Sequence, residues 1–189
     1  MAKYQIDSIQ KWDDFEHAGV TYSLAHLSVH EVEYKGQTAT YRFIVTYGLH
    51  CFAKDDTGFN IPFKYKDGRE ERSVCLERYE ASKRLQTFIL KLDQDHKIHQ
   101  QEGERFFTLT AFNSAKGIEE PYKIALAIFK DNRLMRIHVT SAYFVREGEG
   151  TAEKPVKRPG YSIFKLAKDL FGKKGSNSYP KEVRNRAKP

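Results

Sequence analysis

The sequence predicts an α+β protein in which an antiparallel β-sheet, an N-terminal hairpin plus a C-terminal three-stranded meander, packs on one main helix. Three observations lead there. Residues 20–52 are rich in β-branched and aromatic side chains, and the strands over 38–53 and 134–145 alternate with a period of two. Residues 77–92 switch to a helical period, and Gly, Asn and Asp punctuate the chain at hairpin spacing. The 189 residues, 40% hydrophobic, 13% aromatic and 30% charged, exclude a disordered chain, a collagen-like chain and a disulfide scaffold. They suit one domain with an extension.

In chain order, Asp7 or Ser8 is a plausible cap, followed by Ile9, Trp12 and Phe15 three residues apart, the pattern of a short amphipathic helix or packed arm. Strands over 20–34 and 38–53 flank the turn Tyr34-Lys35-Gly36-Gln37. In the second, Tyr41, Phe43, Val45, Tyr47, Leu49 and Cys51 share a core face, with Thr40, Arg42, Thr46 and His50 opposite. A loop over 54–58, a turn at Lys66-Asp67-Gly68 and a short strand over 72–76 lead into the helix of 77–92, whose stripe is Ala81, Leu85, Phe88, Ile89 and Leu92.

Three strands follow over 105–112, 122–130 and 134–145. In the last, Met135, Ile137, Val139, Ser141 and Tyr143 face the core, and Leu134, Arg136, His138, Thr140 and Ala142 face away. The linker Glu147-Gly148-Glu149-Gly150 separates a globular domain, 1–153, from a basic C-terminal extension, 154–189. There Tyr161 to Phe171 reads as a short amphipathic helix stopped at Gly172.

The net charge of +7 is unevenly spread. Residues 154–189 carry eleven Lys or Arg against Asp169 and Glu182, while residues 1–153 are close to neutral. Affinity for polyanions therefore belongs to the tail. No stretch reaches the roughly 18 apolar residues needed to span a membrane and no secretory signal is visible, so the expectation is a cytoplasmic protein without a membrane partner. Cys51 and Cys75 read as reduced thiols.

If the apolar strand faces all turn toward the helix, the opposite face gathers Arg42, Thr46, His50, Thr108, Thr110, Arg136, His138 and Thr140. Two imidazoles and two guanidiniums suit metal-free RNA cleavage: one imidazole takes the 2′-hydroxyl proton, the other protonates the leaving oxygen, and Arg stabilises the phosphorane. This assigns His50, His138 and Arg136 as catalytic. Arg42, Thr46, Thr140, Lys157, Arg158, Lys173 and Lys174 become nucleic-acid contacts. Arg78, Ser82, Ser141 and Tyr143 form a buried polar cluster in which Arg78 needs a carboxylate or an anionic ligand. His26 with His30, and His96 with His99, lack a third metal ligand at matching spacing, and no P-loop, GxGxxG, GxSxG or CxxC pair is present. Neither metal nor cofactor is therefore expected.

The series Tyr22-Ser23-Leu24-Ala25-His26-Leu27-Ser28, His50-Cys51-Phe52, Arg78-Tyr79 with Ser82, Val139-Thr140-Ser141-Ala142-Tyr143 and Arg158-Pro159-Gly160-Tyr161 resembles a family of uncharacterised bacterial and prophage-borne proteins, a likeness that implies no activity. More remotely, a helix followed by an antiparallel meander resembles barnase and RelE-type ribonuclease toxins, and implies catalytic side chains on the sheet face away from the helix. The expected function is binding of a nucleic acid, RNA in preference to DNA, with cleavage as an added possibility. The alternative is a non-catalytic interaction module of phage-defence, antitoxin-like or accessory type that docks a protein through residues 161–171.

Overall fold

The computed structural model describes residues 12–55, 58–67, 70–94, 96–101, 104–131, 134–146 and 159–172. Trp12 and Phe15 are buried, but Phe15–His17 is a strand, β1, rather than part of a helix, and pairs with β2 (Val20–Tyr22). Between them Ala18 (φ 52°) and Gly19 (φ 75°) both occupy the left-handed region, the two-residue turn whose twist matches antiparallel strands. The Asp14 carboxylate accepts from the Leu24 N–H at 2.9 Å and the Ser23 hydroxyl at 3.0 Å, fixing the exit. The strand expected over 20–34 is then broken by a 3-10 turn, Ala25–Leu27, that drives Leu24 and Leu27 into the core.

β3 (His30–Lys35) and β4 (Thr40–His50) form the expected hairpin. A second hairpin, β5 (Asn60–Asp67) and β6 (Glu70–Cys75), stands as a separate two-stranded sheet. In β5, Ile61 is buried and Phe63 and Tyr65 are partly so, while Pro62, Lys64 and Lys66 are exposed, an alternation that Pro62 masks in the sequence. Phe15, Phe63, Tyr65, Phe52 and Trp12 join the two small hairpins to the body through ring contacts of 5.1–6.0 Å.

The single helix over 77–92 is two short ones, α1 (Leu76–Ser82) and α2 (Leu85–Leu90). The Ser82 hydroxyl donates to the Tyr79 carbonyl at 2.7 Å, the acceptor that the Lys83 N–H needs in a continuing α-helix. Lys83 turns instead to the Glu80 carbonyl, and Arg84 to that of Ala81. Both bonds span three residues, and the helix breaks.

β7 (His99–Gln101), β8 (Glu104–Asn113), β9 (Ile118–Asp131) and β10 (Leu134–Phe144) complete a six-stranded sheet in the order β3-β4-β10-β9-β8-β7. The meander is present, but β10 runs parallel to β4 and fuses hairpin and meander into one mixed sheet. The α+β description of an antiparallel sheet on one main helix is therefore incorrect: this is a largely β structure in which short helices cover part of the main sheet.

One face of the sheet carries Phe43, Val45, Tyr47, Tyr122, Ile124, Ile137 and Val139, all at 0% exposure. α2 lies on it, with the Tyr34 hydroxyl donating to the Ile89 carbonyl and Phe88 against Tyr122. α3 (Ile163–Phe171) lies there too, with Lys130 over the Phe171 ring. Ser162 caps α3 by accepting from the Lys165 N–H, and Ile163, Leu166 and Ala167 are buried. Just before α3, Tyr161 pairs with Ile98, and a Cβ on Gly160 would lie 2.6 Å from the Lys97 side chain, so this approach requires glycine. α3, within the basic extension, packs on the main sheet. The apolar face of 161–171 assigned to a protein partner is filled by the chain's own core.

Candidate functional site

Strand parity was to decide the site, and two bulges change it. Val139 pairs with Tyr47 but Ser141 pairs with His50, so β4 has one residue more than β10. On the other side Val139 pairs with Leu126 and Ser141 with Ala125, so β10 has one residue more than β9. Beyond the bulge Ala142 and Phe144 are buried in the core, while Ser141 and Tyr143 become half-buried on the face away from the helices. The placement of Ser141 and Tyr143 on the core face is thereby corrected, and His138 and Ser141 share a face.

His50 and His138 do lie on that same polar face, yet their surroundings differ. His138 is 1% exposed, pairs across the strands with Thr46, and shares a 2.9 Å hydrogen bond with its hydroxyl through Nδ1. Its Nε2 lies 3.3 Å from where a Cβ on Gly48 would be, so Gly48 makes room for the ring. Thr46 and Arg136 are buried as well. His50 stands four residues beyond Thr46, on the far side of the bulge. It is half-buried, and its Nε2 meets Glu70 Oε1 at 2.9 Å. Arg72 holds that same oxygen at 2.9 Å and Asp55 at 3.0 Å. Burial lowers the His50 pKa, Glu70 pulls it back, and Arg78 and Arg72 push it down further. The strands therefore bring a half-buried His50 to the rim, paired with Glu70, and bury His138 against Thr46.

Of the buried polar cluster, Arg78 and Tyr143 meet, with the guanidinium 5.2 Å from the ring centroid. Arg78 is 7% exposed and donates to the His50 carbonyl at 2.7 Å. Ser82 goes elsewhere, to His26 Nε2 at 2.7 Å. Burial lowers the His26 pKa and Lys83 adds to the effect, while the Ser23 carbonyl, Glu80 and Asp14 oppose it. Arg42, 70% exposed, is held by Glu33 at 2.8 Å, and Thr140 sits in the bulge. Lys157, Arg158, Lys173 and Lys174 lie outside the described residues.

A buried ionic network escaped the sequence reading. Asn113 Nδ2 donates to Glu77 Oε1 at 2.8 Å and to Glu120 Oε2 at 2.6 Å; Arg146 pairs with both carboxylates and Lys116 with Glu120. It ties α1 to the ends of β8, β9 and β10. The signal available was Asn113 in a turn with Lys116 and Glu120 following, but that pattern also fits an ordinary solvated turn. Among the described residues no group of three His, Cys, Asp or Glu side chains has the placement to hold a metal.

The outer side of α3 offers a different surface. Phe171 is 71% exposed with Lys130 Nζ 5.7 Å from its ring centroid, and Tyr161 is 38% exposed with Lys165 Nζ at 5.8 Å. Lys165 and Lys168 are exposed between them. Two accessible aromatic rings, each beside an ammonium group, thus stand at the ends of one helix.

Among the described residues no helix is long and apolar enough to cross a membrane. No solved structure matches the chain, and nothing links it to ribonuclease toxins. It is similar to Protein YjaZ of Escherichia coli (strain K12), 31% identical over 150 residues that cover 74% of this chain and 83% of that protein. The model of the YjaZ family matches residues 14–171, a span that takes in both small hairpins, the whole six-stranded sheet and α3. With match and fold agreeing from β1 to the end of α3, the chain belongs to the YjaZ family.

Proposed function

We propose that this protein binds single-stranded nucleic acid, RNA in preference to DNA, along the outer side of α3, and does so without cleaving it. The exposed Phe171 ring beside Lys130 carries this reading. Bases stack on accessible aromatic faces whatever their identity, and adjacent ammonium groups neutralise the backbone. Tyr161 with Lys165 repeats the arrangement one helix length away, and the eleven basic residues of 154–189 surround both in sequence. Cleavage is left out because His138 is sealed beneath the polar face.

Fluorescence anisotropy with a labelled single-stranded RNA tests this on the full chain. Phe171→Ala and Tyr161→Ala should each weaken binding by about tenfold, the cost of roughly one base stack, and affinity should fall steeply with salt. No binding at low salt, or affinity unchanged in both variants, overturns the proposal. Total RNA incubated with the protein in EDTA should stay intact; breakdown abolished by His50→Ala would restore the nuclease.

A further inference from the structure

Arg78, on α1, reaches Tyr143 and the end of β4 and is held differently from the ion-paired cations around it. Arg42 is paired with Glu33, Arg72 with Asp55 and Glu70, and Lys123 with Glu104. Arg78 is more deeply buried than any of these side chains, yet among the described residues no carboxylate pairs with it. Its hydrogen bond goes to a backbone carbonyl, that of His50. A guanidinium removed from water is costly without anionic acceptors, and a single carbonyl uses one of its five N–H donors.

The surroundings supply the rest of a receptor. Tyr143, under the guanidinium, projects from the same face as Ser141, and Ser141 lies directly opposite His50 across the β4–β10 pair. Lys123, opposite Tyr143 on β9, places its ammonium 6.0 Å from that ring. These side chains are half-buried, so the cluster is reached from solvent beside the largely buried Arg78. The bulge that turns Ser141 and Tyr143 out of the core creates the arrangement: in regular register both would point away from His50's side chain.

We propose that Arg78, Ser141, Tyr143 and the His50 imidazole form a seat for an oxyanion, the phosphate or carboxylate group of a small ligand. The fork of Arg78 takes two oxygens side by side, a geometry that a lysine cannot reproduce. The Ser141 hydroxyl donates to a third oxygen. These residues are separate from the α3 surface, so the seat and the nucleic-acid reading stand or fall independently.

The test is titration of the full chain with inorganic phosphate, and in a second arm with acetate, at constant ionic strength, followed by the NMR signals of the His50 ring and by the thermal midpoint. Phosphate should bind saturably in the millimolar range, move the His50 resonances and raise the midpoint. Arg78→Lys, which keeps the charge, should weaken binding by about tenfold, and Ser141→Ala, a half-buried position that the fold tolerates, severalfold. Lys91→Gln, an exposed residue just after α2, should leave it unchanged. Tighter binding of acetate assigns the seat to carboxylates. No saturable binding of either anion, or affinity unaffected in both Ser141→Ala and Arg78→Lys, overturns the proposal.

Discussion

Asn113→Asp is the most informative single substitution in the buried network. It keeps size and shape and preserves the acceptor of the Ala115 N–H, which Asn113 Oδ1 takes at 3.1 Å. It replaces an amide nitrogen lying 2.8 and 2.6 Å from Glu77 and Glu120 with an oxygen that has no proton at neutral pH. Two hydrogen bonds to charged acceptors disappear, each worth about 1.5–3 kcal/mol, so the loss is about 3–6 kcal/mol at pH 7. Arg146 and Lys116 remain to offset part of the added repulsion, which favours the lower half of that range. Acidification gives a second, independent signature. The new carboxyl, buried between two carboxylates, has a folded pKa raised above its unfolded value, so the protonated folded form gains as pH falls and the deficit against the parent should shrink below neutrality. In the parent, burial works to raise the Glu120 pKa but the bonds from Asn113, Arg146 and Lys116 outweigh it and hold it low. That contribution is lost only as pH falls below the ordinary carboxylate range. Urea unfolding of both proteins at about pH 7 and about pH 5 measures the gap. A deficit under about 1 kcal/mol at neutral pH, or one that widens on acidification, refutes the reasoning.

Gly48→Ala places a methyl 3.0 Å from the Thr140 carbonyl and 3.3 Å from His138 Nε2. It should break the Thr46–His138 bond, cost about 1–3 kcal/mol in urea unfolding and shift the His138 ring signals. Gly160→Ala should cost a similar amount by forcing the strap before α3 off Lys97 and His99, and should raise amide exchange at Ile98 and Tyr161, whose N–H groups bond across that bridge at 2.8 Å. His26, His30 and His50 all have pKa values lowered chiefly by burial. The unfolded chain therefore binds protons first. Stability should be complete above about pH 6.5 and decline as pH falls below it, a loss visible in the urea midpoint between about pH 7.5 and about pH 5.5 and absent if these rings are solvated.

What the sequence reveals of the fold divides along local and non-local lines. β4 and β10 are legible because apolar residues on one face alternate with polar ones on the other, and α3 because Ile163, Leu166 and Ala167 fall on one stripe with Ser162 as its cap. The parallel pairing of β4 with β10 leaves no such trace. It joins strands separated by the second hairpin, two helices and three further strands, and a strand paired in either direction shows the same alternation. The break between α1 and α2 is equally hidden. Leu85 and Ile89 continue the stripe begun by Ala81, and one hydroxyl at Ser82, back-bonded to Tyr79, interrupts the ladder without disturbing the pattern.

At the site, alternation carries information up to Val139 and misleads after it. His138 and Thr46 stand opposite each other on the polar face as period-two reasoning requires, whereas Ser141 and Tyr143 appear there only because each neighbour of β10 meets it with a mismatch of one residue. A bulge needs no glycine or proline at its centre, and Thr140 is a good strand residue, so nothing in Val139-Thr140-Ser141 announces it. The consequence reaches beyond register. The same displacement brings a hydroxyl and a phenol to Arg78, whose counter-charge the main-chain carbonyl of His50 cannot supply. A polar strand face therefore cannot be given its chemistry from parity alone, since one inserted residue exchanges which side chains converge and leaves the buried cation to mark where a ligand belongs.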